Sequence, residues 1–106
     1  MSTRSPLFSV YYATLLDYVL HRDEFSLAHA YEIGRTGLDA GVGLVNIVQM
    51  HCEALGSILE STSAHDEFRR RLSASHQFLI EVISPFEMAY QGYRVVIKDV
   101  CPPFRD

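Results

Sequence analysis

The sequence predicts an all-α fold: a four-helix domain with a long C-terminal helix bent at a proline, assembled as a dimer. Three observations predict it. Apolar residues recur at spacings of three and four in four successive stretches, with no period-two alternation that would mark a strand. The apolar fraction is 48%, with 6 Tyr and 6 Phe, which supplies a core and argues against disorder. At 106 residues the chain reads as one domain, residues 1–106, with an irregular tail over 98–106; a domain of this size has little surplus of buried surface.

The first helix is expected from about Pro6 to His21. Ser5 suits its cap, and Pro6 suits the first helical position, where a missing N–H costs nothing. Phe8, Tyr11, Tyr12, Leu15, Leu16 and Val19 make a wide apolar stripe. The second is expected from about Glu24 to Ala40, capped by Asp23, with Leu27, Ala30, Tyr31, Gly34 and Leu38 on one face. Gly34 and Gly37 each weaken it by up to about 1 kcal/mol relative to Ala, but small residues let a neighbouring helix come close. "AGVG", residues 40–43, is a stop and turn. The third helix is expected from about Leu44 to Ser61, with Leu44, Ile47, Val48, His51, Leu55 and Ile58 on one face, so His51 points inward. "STSAHDE" follows as a loop, with Ser63 and Glu67 near the next helix start.

The fourth helix carries the argument. Leu72, His76, Leu79, Ile83, Phe86, Tyr90, Tyr93 and Ile97 alternate spacings of four and three, and the phase does not slip at Pro85. A second row, Phe78, Val82, Pro85, Ala89, Gly92 and Val96, keeps the same register. Two separate helices have no reason to share one register, which favours a single helix from about His65 to Lys98, bent where Pro85 cannot donate to the Glu81 carbonyl. The rival reading is a break at Ser84, because "SPFE" is a capping box with proline at the first helical position. About 34 residues of helix span roughly 50 Å, about twice the reach of each companion. The other three helices cannot cover both apolar rows. A second copy of the chain is the simplest cover, since two-fold dimers are the commonest soluble oligomers. The expected dimer seam is Leu79, Ile83, Phe86, Ala89, Tyr90, Gly92 and Tyr93, with Ala89 and Gly92 small enough for close approach.

Composition narrows the function. A net charge of −4 without a long basic run argues against nucleic acid, and "RRR" at residues 69–71, following "DE", reads as a solvated helix face. Cys52 and Cys101 form no CxxC pair and read as reduced thiols of a cytoplasmic protein. No apolar run approaches the roughly 20 residues of a membrane span, and the N-terminus lacks the pattern of a signal peptide. Five histidines occur without HExxH or ExxH, and His51 and His76, on apolar faces, read as core histidines, with no metal and no cofactor expected. His51 and Cys52 are not a catalytic pair, because adjacent helical positions point apart. Glu53, Glu60, Glu81 and Glu87 have no obvious facing carboxylate, and the glycines of "AGVG" lack the Lys and the strand of a phosphate loop. No enzyme is expected. Ile80 lies off both apolar rows, among Glu81, Ser84, Glu87 and Gln91. It is either an incidental surface residue or, beside a groove with the second helix, a partner's anchor.

"FLIEV…MAYQ" near the C-terminus, with "YYATLLDYVL…SLAHA" and "IVQMHCEAL" before it, resembles the N-terminal domain of RsbU-type phosphatases, positive regulators of the bacterial general stress response. The resemblance runs from about Val10 to Gln91, and the helical domain of the KaiA clock protein is a more distant relative. It implies a non-catalytic all-helical homodimer that binds an RsbT-like switch kinase and signals along its last helix to a PP2C-type phosphatase, in partner-switching control of a stress sigma factor. It places kinase binding where the second helix meets the C-terminal part of the fourth, at Leu27, Ala28, Tyr31, Ile80 and Ser84. Ala28 and Ser84 are smaller than that groove leads one to expect, which bears on affinity or partner identity. The chain ends "VCPPFRD", where Pro102 and Pro103 stop the helix, so either an excised domain or a stand-alone protein is expected. The alternative function is a ligand- or metal-sensing bundle built on the inward histidines and tyrosines.

Overall fold

The computed structural model describes residues 6–100, and side-chain surroundings as far as Tyr93. Four helices follow one another: α1 (Pro6–His21), α2 (Glu24–Asp39), α3 (Leu44–Glu60) and α4 (His65–Val100). No strand occurs among the described residues. The expected Ser5 cap, Cys101 and the two prolines after it lie outside them, as do the side chains of Val96 and Ile97.

Local chemistry sets the helix ends. Asp23 caps α2, its carboxylate accepting the Ser26 N–H at 2.7 Å. The same bond is the main reason its carboxyl is held below the ordinary Asp value. Gly41, at φ 80°, takes the left-handed position after α2, and the Val42 N–H then donates to the Gly37 carbonyl at 2.8 Å. Ser61 and Thr62 both donate their hydroxyls to the Ile58 carbonyl at the end of α3. α4 opens after Ala64, whose carbonyl accepts the Phe68 N–H, so Ser63 stands one residue ahead of the capping position. Glu67 ties to Arg70 and Arg71 instead of capping, and Arg71 also donates to Thr62 Oγ1, so the arginine run is partly anchored.

α4 passes through Pro85 without interruption. It also continues to Val100, so residues 98–100 are helical where the irregular tail was expected to begin. The physical reason is that Pro102 restricts only the residue directly before it. Pro85 is buried, and its ring is used in packing: a Cβ on Gly34 would lie 3.2 Å from Pro85 Cδ and would collide with the Val82 carbonyl. The smallness of Gly34 is thus what seats α2 against α4. Gly37 performs the same service more loosely, facing Ile47, Leu7 and Val42.

All four helices supply the core: Tyr11, Leu15, Tyr18 and Val19 from α1, Ala30 and Ile33 from α2, Ile47, Ala54 and Ile58 from α3, and Ala74, Phe78 and Val82 from α4. Tyr11 and Phe78 meet edge to face with centroids 5.3 Å apart. Several stripe assignments shift by one position. Leu44 and Val48 are exposed while Ala54 is buried, and Leu27, Tyr31 and Leu38 are half-buried while Ile33 turns inward. In α4 the row of Phe78, Val82 and Pro85 takes the core, extended backward by Ala74 and Ser75. The row carrying His76 lies on its flank, so His76 is exposed and is not a core histidine.

Candidate functional site

Residues of α2 and α4 meet in an antiparallel pair, because Gly34 sits on Val82 and Pro85 while Tyr31, a turn earlier, reaches Met88, a turn later. The Tyr31 hydroxyl donates to the Met88 thioether at 3.6 Å. Ile80, Ser84 and Met88 stand four residues apart and form one ridge on α4. Ser84 is half-buried and donates its hydroxyl to the Ile80 carbonyl at 2.8 Å, a local bond that leaves the ridge without a polar side chain reaching out at its centre. Ile80 is 52% exposed and Met88 60%.

The expected partner-binding residues therefore form a strip and not a pocket. Tyr31 stands against Met88, and Ser84 and Ile80 share the α4 ridge with Met88 one and two turns earlier. Leu27, half-buried, and Ala28, exposed, lie a turn further along α2, toward the part of α4 beyond Met88. By the antiparallel order of the two helices, Leu27 and Ile80 mark opposite ends of the strip. Met88 is the member that sequence reasoning missed. Its signal was present in the i+4 spacing from Ser84 and the i+8 spacing from Ile80. A separate groove of about 450 Å³ runs between α1 and α2, lined by Leu7, Val10 and Ile33 with Glu32 and His29, and it contains none of the expected partner-binding residues.

The expected dimer-seam residues divide in two. Leu79, Ile83 and Phe86 are half-buried, and the last two pack on the chain's own core. Ala89 and Gly92 are exposed, as are Tyr90 at 58% and Tyr93 at 64%. A Cβ built on Gly92 meets nothing within 4 Å. The chain's own helices thus shelter α4 only about as far as Phe86.

Among the described residues, a buried polar pair joins α1 to α3. Tyr11 Oη and His51 Nδ1 are 2.7 Å apart, with the rings edge to face. A phenol proton donated to Nδ1 places the imidazole N–H on Nε2, which is buried without a partner. The opposite arrangement would strand the phenol proton as well. Burial pushes the Tyr11 phenol up and His51 down to about 4, assisted for the latter by nearby His76. The one lone pair of neutral His51 accepts from Tyr11, and burial keeps the Tyr11 phenol protonated, so the pair is engaged in a packing contact. Cys52, next to His51 in sequence, is exposed. Among the described residues no three His, Cys, Asp or Glu side chains gather as a metal ion would need, and no helix is long and apolar enough to cross a membrane.

A four-helix fold whose distinctive surface is the α2–α4 pair, with the Tyr11–His51 pair held inside its packing, is the class of protein that the fold and the site define. The chain belongs to the family of the N-terminal domain of the phosphoserine phosphatase RsbU, which it matches over residues 9–89. The matched span takes in α1 to α3 and α4 through Ala89, and so includes the whole α2–α4 strip. No curated protein and no solved structure was found to match the chain.

Proposed function

We propose that this domain is a cytoplasmic dimeric adaptor that binds an RsbT-like switch kinase along the α2–α4 strip, in partner-switching control of a stress sigma factor. The binding event acts on a PP2C-type phosphatase in cis or in trans. The observation that carries the reading is the exposed ridge of Ile80 and Met88 beside Tyr31, on helices locked together by Gly34 and Pro85. A rigid helix pair with an exposed apolar ridge is the arrangement in which a few side chains supply most of the binding energy. Membership of the RsbU N-terminal family supports the partner class. The second copy of the chain belongs on the uncovered end of α4, where Ala89, Tyr90, Gly92 and Tyr93 are exposed.

The test is a pull-down of an RsbT-like kinase with the wild-type chain and with Ile80→Asp. A carboxylate at a half-exposed position leaves folding intact but removes the anchor. Binding is expected to weaken by about 2 kcal/mol or more, some thirtyfold. Undiminished capture by Ile80→Asp would remove the strip from the account.

A further inference from the structure

We infer that the α2–α4 strip takes a protein face whose apolar ridge is ringed by lysine and arginine, and that charge alone keeps this strip from pairing with its own copy. The inference rests on the α2–α4 reading above and specifies the chemistry of the partner.

Between Arg71 and Arg94 the sequence contains no Lys and no Arg, while Glu81 and Glu87 flank the ridge of Ile80, Ser84 and Met88. On α2, exposed Arg35 stands one turn from Tyr31 beside the strip, while Glu32 lines the separate α1–α2 groove and Glu24 and Asp39 stand at the two ends of the helix. Arg94 and Lys98 follow the strip on α4, and Arg22, Arg69, Arg70 and Arg71 gather at the start of the same helix. There Arg22 donates to the Arg70 carbonyl at 2.9 Å, and Arg70 and Arg71 are tied to Glu67. Eleven residues of helix separate Arg70 from Glu81, about 16 Å at the helical rise. That exceeds the screening length of about 8 Å at physiological salt, so the basic end leaves the strip's negative field intact.

The same helix has a second, different face. Phe86, Ala89 and Tyr93 lie roughly opposite Glu87 around the α4 axis and carry no charge. A two-fold contact through the strip would set Glu81 and Glu87 of one copy against those of the other, a like-charge juxtaposition that disfavours self-association. The uncharged face carries no such penalty. One helix thereby assigns its uncharged side to a copy of itself and its acid-flanked side to a basic partner. Apolar residues on the partner meet Ile80, Met88 and Tyr31, while its lysines and arginines meet the flanking carboxylates and speed encounter.

The test measures association of an RsbT-like kinase with the full chain by stopped flow at about 20 mM and about 300 mM salt. The variants are Glu81→Lys/Glu87→Lys, the milder Glu81→Gln/Glu87→Gln, and Arg69→Glu as a control at the basic end. Charge reversal is expected to lower kon about tenfold or more at low salt, with the gap closing at high salt. The glutamine pair should fall between wild type and reversal without the fold's being at issue, and Arg69→Glu should stay within about twofold of wild type. If Ile80→Asp abolishes binding while both glutamate variants keep the wild-type kon and salt dependence, the charge inference fails and the strip reading stands. If the wild-type chain shows no binding at low salt, both fall. Dimerisation driven through the strip by glutamate neutralisation would further support the segregation of the two faces.

Discussion

At the scale of single residues, His51 is the most constrained. It is 4% exposed, it accepts from Tyr11, and its Nε2–H has no partner. Burial holds its folded value at about 4, below the ordinary 6.5. A histidine depressed on folding stabilises the protein fully above its unfolded value, and that contribution is lost as pH falls from 6.5 toward 4. The linkage amounts to about 3 kcal/mol over that interval. Asp23 and Glu67, whose carboxyls are held low by the Ser26 N–H and by Arg70 and Arg71, lose their contributions only at lower pH. Urea midpoints measured from pH 7 to pH 4.5 should therefore decline steeply in the wild type and much less in His51→Leu. Parallel declines in the two proteins would mean that His51 is not held neutral. The inward direction of His51 was legible from its helical spacing to Ile47, Leu55 and Ile58. Its bond to Tyr11, 40 residues away, was not legible, because periodicity reports which face a residue occupies and not what it meets there.

Among the elements, the decisive contact is between α2 and α4. Gly34→Ala tests it. Alanine favours an isolated helix over glycine by about 1 kcal/mol, so propensity predicts stabilisation. The added Cβ would collide with the Val82 backbone carbonyl, which cannot rotate away as a side-chain tip can. Separating the two helices costs about 1–3 kcal/mol in lost packing, and we expect the overpacking to win. A lowered denaturation midpoint is the predicted result; an unchanged or raised one would show that α2 does not seat on Val82 as described. The continuity of α4 was readable because both apolar rows hold phase across Pro85, and register outweighed the capping box of "SPFE". What prevailed physically is the burial of the proline ring against Gly34, a long-range contact that keeps Ser84 from acting as a cap. The row assignment in α4 was less readable. Two rows of similar apolarity flank the helix, and only the placement of α2 decides that Phe78, Val82 and Pro85 face inward while His76 does not. α4 runs past Lys98 to Val100, because a proline at 102 disfavours helical dihedrals for the residue directly before it and leaves the preceding turn free to be helical.

For the whole molecule, the governing disproportion is one of length. α4 has 36 residues against 16, 16 and 17 in its companions. Their shelter ends near Phe86, leaving Ala89, Tyr90, Gly92 and Tyr93 at the surface of a single copy. That disproportion was visible in the sequence, as was the resemblance to the RsbU N-terminal domain over about Val10 to Gln91, which the family match places at residues 9–89. That Glu81 and Glu87 flank the Ile80–Met88 ridge follows from helical spacing, but the ridge's place beside α2 emerged only when Tyr31 was set against Met88. The central claim is that a second copy covers the exposed end of α4. Light scattering coupled to size-exclusion chromatography at micromolar concentration measures it directly, on the wild type and on Gly92→Leu, whose added side chain has open space in the single copy. The account predicts about twice the 12.0 kDa chain mass for the wild type and a shift toward one chain mass for Gly92→Leu with its helicity retained. A wild-type mass of one chain, or a Gly92→Leu dimer as tight as the wild type, would contradict it.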